Sequence, residues 1–241
     1  MNVNNILMNL CNTKILIFWL TFITVISCNK DIPYPLYIDG NGVVDFEGNE
    51  YKTVIIGDQE WMAENLKSNL FCSGDSIPAI GNSTQVKIYE NDPVNDLVFG
   101  KLYNFNAVSD GNGLCPCGWS IPSDLDYSKL IDYLGGHESA LVKMKSSGTL
   151  NSGTGLWVDI ESISSGNNAS GFNALPAGYY NYDKFREKDT ISMFWSVSEK
   201  DFTPITYVIR LNKINKFIFN SPSPLVKSTL YYSVRCIKNL P

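Results

Sequence analysis

ILIFWLTFITVI (15–26) is the longest apolar run of the chain, and every later hydrophobic stretch is short and interrupted. VVDFEGNEYKTVIIGDQEWM (43–62) sets β-branched and aromatic runs between EGN and GDQ turn signals, which predicts a β-hairpin followed by a third strand. Residues 67–99 carry SGDS, PAIGNS and NDPVND, and read as loops. KLYNFNAV (101–108) is apolar enough to predict burial. A different period then takes over: Tyr127, Leu130, Ile131 and Leu134 fall at i, i+3, i+4 and i+7, one face of a helix over 124–134. Ser123 is placed as its N-cap, Asp126 completes a capping box, and Gly135-Gly136 stops it. A shorter helix is predicted over 138–146 from Ala140, Leu141 and Met144. Residues 147–190 are rich in Gly, Asn, Ser and Tyr, a length that implies either function or short strands. MFWSVSE (193–199), TYVIRLN (206–212), KFIFNSP (216–222) and LYYSVRCI (230–237) alternate with turn residues and predict an antiparallel sheet.

The long apolar run is too short to span a bilayer comfortably and has the length of a signal-peptide core. It ends in Val25-Ile26-Ser27-Cys28, which resembles the lipobox of bacterial lipoproteins, where the cysteine is lipidated and becomes the first mature residue. Residues 1–27 are therefore expected to be a lipoprotein signal peptide and 28–42, with two prolines and a Gly/Asn turn, a lipidated tether. Loss of Lys14 with the leader would take the formal net charge from −5 to −6. An acidic balance argues against nucleic acid or an anionic bilayer as partner, so the membrane would be reached through the lipid alone. The expected location is the bacterial cell envelope, at the outer membrane. No tandem repeat or composition break divides the remainder, and 43–239 reads as one domain.

Export changes what the cysteines mean. Cys11 leaves with the leader and Cys28 takes the lipid, so Cys72, Cys115, Cys117 and Cys236 remain, an even number with three possible pairings. Cys115-Pro-Cys117 lacks the spacing of a thiol–disulfide catalyst, and a zinc site would need more than the lone His137 beside it. A serine triad would have to use that same His137, with no nucleophile elbow in the chain, and no phosphate-binding glycine loop occurs. Asp92/Asp96 and Asp124/Asp126 are carboxylate pairs that capping and solvation explain. Asp39-Gly40-Asn41-Gly42 and Asp110-Gly111-Asn112-Gly113 resemble parts of a calcium loop but lack its full oxygen series; they read as turns, with structural calcium the only cofactor left open. No catalytic residue is assigned. The candidate ligand surface is Trp157, Asn168, Asn173, Tyr179, Tyr180 and Tyr182, since aromatic faces with amide hydrogen-bonders suit a polysaccharide or another surface protein.

EGNEYKTVIIGDQEWMAENL (47–66), GKLYNFNAV (100–108), CPCGWSIPSDLDYSKL (115–130), SGFNALPAGYY (170–180), FWSVSE (194–199) and YYSVRCIKN (231–239) together resemble the Fibrobacter succinogenes major paralogous domain. The ordered set is more specific than any one segment. The resemblance implies an exported α+β domain, distantly like the C-type lectins and formylglycine-generating enzymes, with antiparallel strands, one or two helices and extensive loops. It implies a Cys115–Cys236 bridge, which leaves Cys72–Cys117 as the second pair, and it allows Trp157 and Phe172 to be core residues instead of contacts. The expected role is a lipid-anchored, non-catalytic binding or adhesion module. The alternatives are an envelope enzyme, either carbohydrate-active or using paired reactive cysteines in the formylglycine-generating manner, and a structural surface component.

Overall fold

The computed structural model describes residues 37–81, 84–159, 165–197, 204–210, 214–218 and 228–240. The expected signal peptide, Cys28 and most of the tether lie outside them, and among the described residues no helix is long and apolar enough to cross a membrane.

The β-rich N-terminal pattern folds into five short strands: β1 Ile38–Asp39, β2 Val43–Val44, β3 Glu50–Tyr51, β4 Thr53–Ile56 and β5 Gln59–Met62. The Gly57-Asp58 turn closes β4 on β5, with Val54 opposite Trp61. β6 Val86–Lys87 follows, then helix α1 Pro93–Phe99, which lies inside the stretch expected to be loop. Its start is a local signal: the Asp92 carboxylate accepts from Val94 N, and Pro93 occupies the first turn, where a missing N–H costs nothing. The predicted buried segment at 101–108 splits into β7 Leu102–Asn104 and the single turn α2 Phe105–Val108. Helices α3 Asp124–Tyr133 and α4 His137–Met144 match the two predicted ones within a residue or two at each end. The capping box forms in both directions, Ser123 Oγ accepting from Asp126 N and Asp126 Oδ2 from Ser123 N.

The C-terminal half adds β8 Tyr179–Asn181, β9 Lys184–Arg186, β10 Ile191–Val197, β11 Pro204–Arg210, β12 Ile214–Ile218, β13 Leu230–Tyr232 and β14 Ile237–Asn239. The longest strand ladder is the antiparallel sheet β10-β11-β12 expected from the alternating runs. The last runs do not extend it. β13 inserts between β7 and β8 in the sheet β6-β7-β13-β8-β9, and β14 completes β1-β4-β5-β14 with Ile237 opposite Trp61. The chain end is thus sewn into two sheets begun near the start of the domain. The fold class is α+β, with antiparallel sheets, four helices among the described residues, and long loops.

Three apolar clusters hold these layers. The first packs α3 and α4 on β4 and β5 through Trp61, Tyr127, Leu130, Ile131 and Phe172. The second surrounds Tyr103, Phe105, Trp195 and Tyr232 and contains the Cys115–Cys236 bridge. Between the first cluster's rings lies Arg235, 0% exposed. Its Nε donates to Asn65 Oδ1 (2.7 Å), Nη2 to Asn173 O (2.9 Å), and Nη1 to Met62 O and Phe172 O. The planar guanidinium is clasped by the Phe172 and Phe194 rings, with centroids at 4.7 and 5.5 Å. Arginine can fill this position because its five donors satisfy carbonyls that lysine could not reach together. The third cluster, Tyr89, Leu102 and Tyr231 with Tyr180 and Phe185 against it, leads to the surface.

Candidate functional site

β8 and β9 are joined by a two-residue turn in which Tyr182 (φ 43°) and Asp183 (φ 65°) both have positive φ, the geometry of a type I′ hairpin. Asn or Gly is the usual occupant, so a tyrosine at that position carries backbone strain. At the base of the hairpin, Gly178 (φ 66°) is required: a Cβ there would collide with Arg186 O and the Tyr89 ring. Register then lines up three aromatics, since Tyr180 lies opposite Phe185 on β9 and Tyr231 on β13. Tyr180 meets Phe185 at 4.9 Å and Tyr231 at 5.3 Å between centroids, both edge-to-face, and Phe185 continues to Tyr89 at 5.0 Å. Edge-to-face packing matches the positive ring edge to the negative face and fixes each ring's plane.

Above these rings is a solvent-open cavity of about 450 Å³, lined by Thr84, Lys87, Tyr180, Asp183, Thr229 and Tyr231, with Ile80 and Ser228 at its margin. Lys87 Nζ stands 4.3 Å from the Tyr180 centroid and 5.0 Å from that of Tyr231. Burial lowers the lysine's pKa, and the Asp183 carboxylate partly offsets this. Tyr180 Oη donates to Asp183 Oδ1 at 3.2 Å; burial, then this acceptor, raises the phenol's pKa. Tyr231 Oη donates to Thr84 O at 2.6 Å, so this ring is pinned as a floor. The result is a rigid aromatic corner whose described lining includes the Lys87 cation, the Asp183 carboxylate and two threonines.

A larger cleft of about 760 Å³ lies beside β2 and β3, and two of its polar side chains, Thr53 and Glu64, are already engaged. Thr53 Oγ1 donates to Glu60, Gly42 N donates to Thr53 Oγ1, and Glu64 accepts from Lys52 N and Lys67 Nζ. The Asp39-Gly-Asn-Gly segment is a turn fastened to Thr53, and Asp110 Oδ1 accepts from Asn112 N in a second turn. Among the described residues no group of three or more His, Cys, Asp or Glu is arranged to hold a metal ion.

Within this geometry the chain declares its relationship. The sequence model of the Fibrobacter succinogenes major domain matches residues 54–238. The chain belongs to that family. The match spans every element that builds the aromatic corner, from β6 to β13, so the corner is part of the Fibrobacter succinogenes major domain itself. No curated protein and no solved structure matches the chain.

Of the six residues expected on a ligand surface, Tyr180 lines the cavity and Tyr182 stands exposed at the tip of the same hairpin, outside the lining. The other four lie away from this cavity. Trp157 is core, 1% exposed, its indole donating to Ala174 O at 3.1 Å. Asn168 and Asn173, both with positive φ, shape the loop that carries carbonyls to Arg235, Asn168 Oδ1 accepting from Asn173 N. Tyr179, one residue from Tyr180, points to the other side of its strand and packs on Tyr232. Lys87, Tyr231, Asp183 and Thr84 went unseen in the sequence. Lys87 follows an irregular loop, and Tyr231 reads as an ordinary strand residue; only strand pairing brings them to Tyr180.

All four domain cysteines are bridged, Cys72 to Cys117 and Cys115 to Cys236. The carboxylate pairs are likewise employed. Asp92 caps α1, Asp96 pairs with Lys101 at 2.8 Å, and Asp126 closes the α3 cap while accepting from Gln59 Nε2. His137 is exposed at the start of α4.

Proposed function

We propose that this chain is an exported, lipid-tethered protein of the bacterial envelope whose domain binds a glycan, without catalysis, in the corner between Tyr180, Tyr231 and Lys87. The observation that carries this reading is the convergence of held ring faces with polar groups around one open cavity. Its volume of about 450 Å³ falls within the roughly 300–1,000 Å³ of small-ligand sites. A sugar presents an apolar C–H face, which stacks on an aromatic ring, and a rim of hydroxyls, which need donors and acceptors at the edge. Tyr180 offers the first; Asp183, Lys87 and Thr84 offer the second. Edge-to-face contacts with Phe185 and Tyr231 hold the Tyr180 ring in place, so little side-chain freedom is lost on binding.

The enzyme alternatives have less to stand on. Formylglycine-type chemistry draws on a pair of free thiols, and the domain's four cysteines are joined in disulfides. Glycoside hydrolysis by the usual route needs two carboxylates about one sugar, and the described lining supplies Asp183. The lipid tether rests on Ser27-Cys28 after the apolar leader core, and lipidation at Cys28 would place the domain at the outer membrane.

Screening the full chain on an array of neutral and acidic oligosaccharides tests the binding reading. Retention of at least one glycan, lost in Tyr180→Ala, is expected. No retained glycan, or retention indifferent to Tyr180, would overturn it. Palmitate labelling that disappears in Cys28→Ala tests the tether.

A further inference from the structure

We infer that the saccharide bound in this corner carries a carboxylate, and that Lys87 is the residue that selects it; the inference rests on the glycan reading above. Lys87 Nζ is held by two ring faces, whose negative quadrupoles attract a cation without accepting its three N–H bonds as oxygens do. Among the described residues Lys87 makes no ion pair; the two that exist are Lys67–Glu64 and Lys101–Asp96. Lys145 also stands over a ring, Trp157 at 5.0 Å, but it is sealed in the core and lines no open cavity with it. Two other lysines contrast directly. Lys101 gives hydrogens to Lys67 O at 2.6 Å and Asp96 at 2.8 Å, and Lys143 gives one to Leu134 O at 3.0 Å. Lys87 instead lines the cavity, and among the described residues no oxygen accepts from its ammonium.

Asp183 does not complete it. That carboxylate acts on Lys87 through its field, and its Oδ1 already accepts from Tyr180 Oη. The site therefore holds a partly desolvated cation beside an aromatic wall. A ligand carboxylate would meet it with short charge-assisted hydrogen bonds while the sugar ring packs against the aromatic corner. Sugar hydroxyls would find Asp183, which also lines the cavity. A small inorganic anion would satisfy the lysine alone and leave the ring faces and the rest of the cavity uncovered, which is why the class is an acidic saccharide and not an anion as such.

Calorimetric titration of the full chain, kept in mild detergent, with tetragalacturonate and with its fully methyl-esterified form isolates the charge, because the two differ only in ionisation and one methyl group on each sugar residue. The acid is expected to bind about ten- to a hundredfold more tightly, the span of one hydrogen-bonded charge. Lys87→Met should remove that preference. Asp183→Asn, which keeps an acceptor for Tyr180 and suits a positive φ, should strengthen acid binding, so the proposal does not depend on one variant. Equal affinity for acid and ester overturns the inference while leaving the glycan reading intact. Acid binding unchanged in Lys87→Met overturns it too. Binding of neither sugar, together with an array that retains no glycan, removes both.

Discussion

At the scale of single residues, this domain concentrates ionisable groups where water is scarce. Tyr51, Tyr103 and Tyr232 are nearly or fully buried. Burial raises each phenol's pKa, and Tyr51 is pushed further by donating to Asp45 Oδ2 at 2.7 Å. A raised phenol contributes stability that is intact below its unfolded value near 10 and is lost as pH climbs beyond it. Arg235 runs the other way, since burial lowers it to about 9, so its desolvation cost eases as pH climbs beyond that value. Lys145, also lowered by burial, eases with it. Tyr89 and Tyr180 are raised by burial as well, and Lys87 joins the lowered cations, so more phenols lose than cations gain. Urea midpoints measured from pH 8 to 12 should therefore be flat or slightly rising at first, then fall above about pH 10.5. Tyrosinate absorbance from Tyr51, Tyr103 and Tyr232 should appear only with unfolding; their ionisation in the intact fold would refute the account. Tyrosine burial of this kind is partly legible in sequence, as Tyr103 and Tyr232 lie in apolar runs. Arg235 was not, because nothing in the SVRC string (233–236) says that four oxygens from distant segments converge on it.

At the scale of elements, local signals were readable where one residue decides one backbone geometry. Ser123 and Asp126 announce α3, and the i, i+3, i+4 spacing of Tyr127, Leu130 and Ile131 gives its buried face. Helix α1 escaped because Val94 and Leu97 face solvent at 61% and 76% exposure, which erases the apolar period, although Asp92-Pro93 is a proper helix start. The β8–β9 hairpin escaped for the opposite reason. Its turn carries Tyr182-Asp183 where a type I′ turn favours Asn-Gly, so the strongest short-range hairpin signal is missing. That departure has a measurable cost. Tyr182 is 65% exposed, so replacing the ring gives up little burial, while Asn tolerates positive φ. Tyr182→Asn should stabilise the domain by about 1 kcal/mol, a rise of roughly 2–4 °C in Tm. Since Tyr182 lies outside the cavity lining, affinity for tetragalacturonate should not change. A lower Tm would mean that the ring makes a stabilising contact worth more than the strain.

At the scale of the whole molecule, the domain is closed by its last residues, which enter two sheets started far upstream, and the two disulfides fasten that closure unequally. Cys115–Cys236 spans 121 residues and ties the loop before α3 to the start of β14. Cys72–Cys117 spans 45 residues and joins two surface loops. Loop-closure entropy alone assigns about 5 kcal/mol to the first and about 4 kcal/mol to the second, too close to separate them. Burial separates them. Cys115 and Cys236 are 3% and 0% exposed within the second apolar cluster, whereas Cys117 is exposed and Cys72 half-buried. Exchange requires a thiolate to reach a sulfur in line, so the inner bond opens only when the surrounding core opens. Graded reduction followed by alkylation and mass spectrometry should label Cys72 and Cys117 at reductant levels that leave the other pair intact. The partly reduced protein should keep its near-ultraviolet circular dichroism, because Trp195 and Tyr232 pack beside the bond that survives. Labelling of Cys115 and Cys236 first, or loss of that signal with the outer bond, would contradict this order. The opposite substitution separates the bonds again: Cys115→Ala with Cys236→Ala should unfold the domain at far lower urea than the outer double variant, as a cavity opens where the bridge stood inside the core.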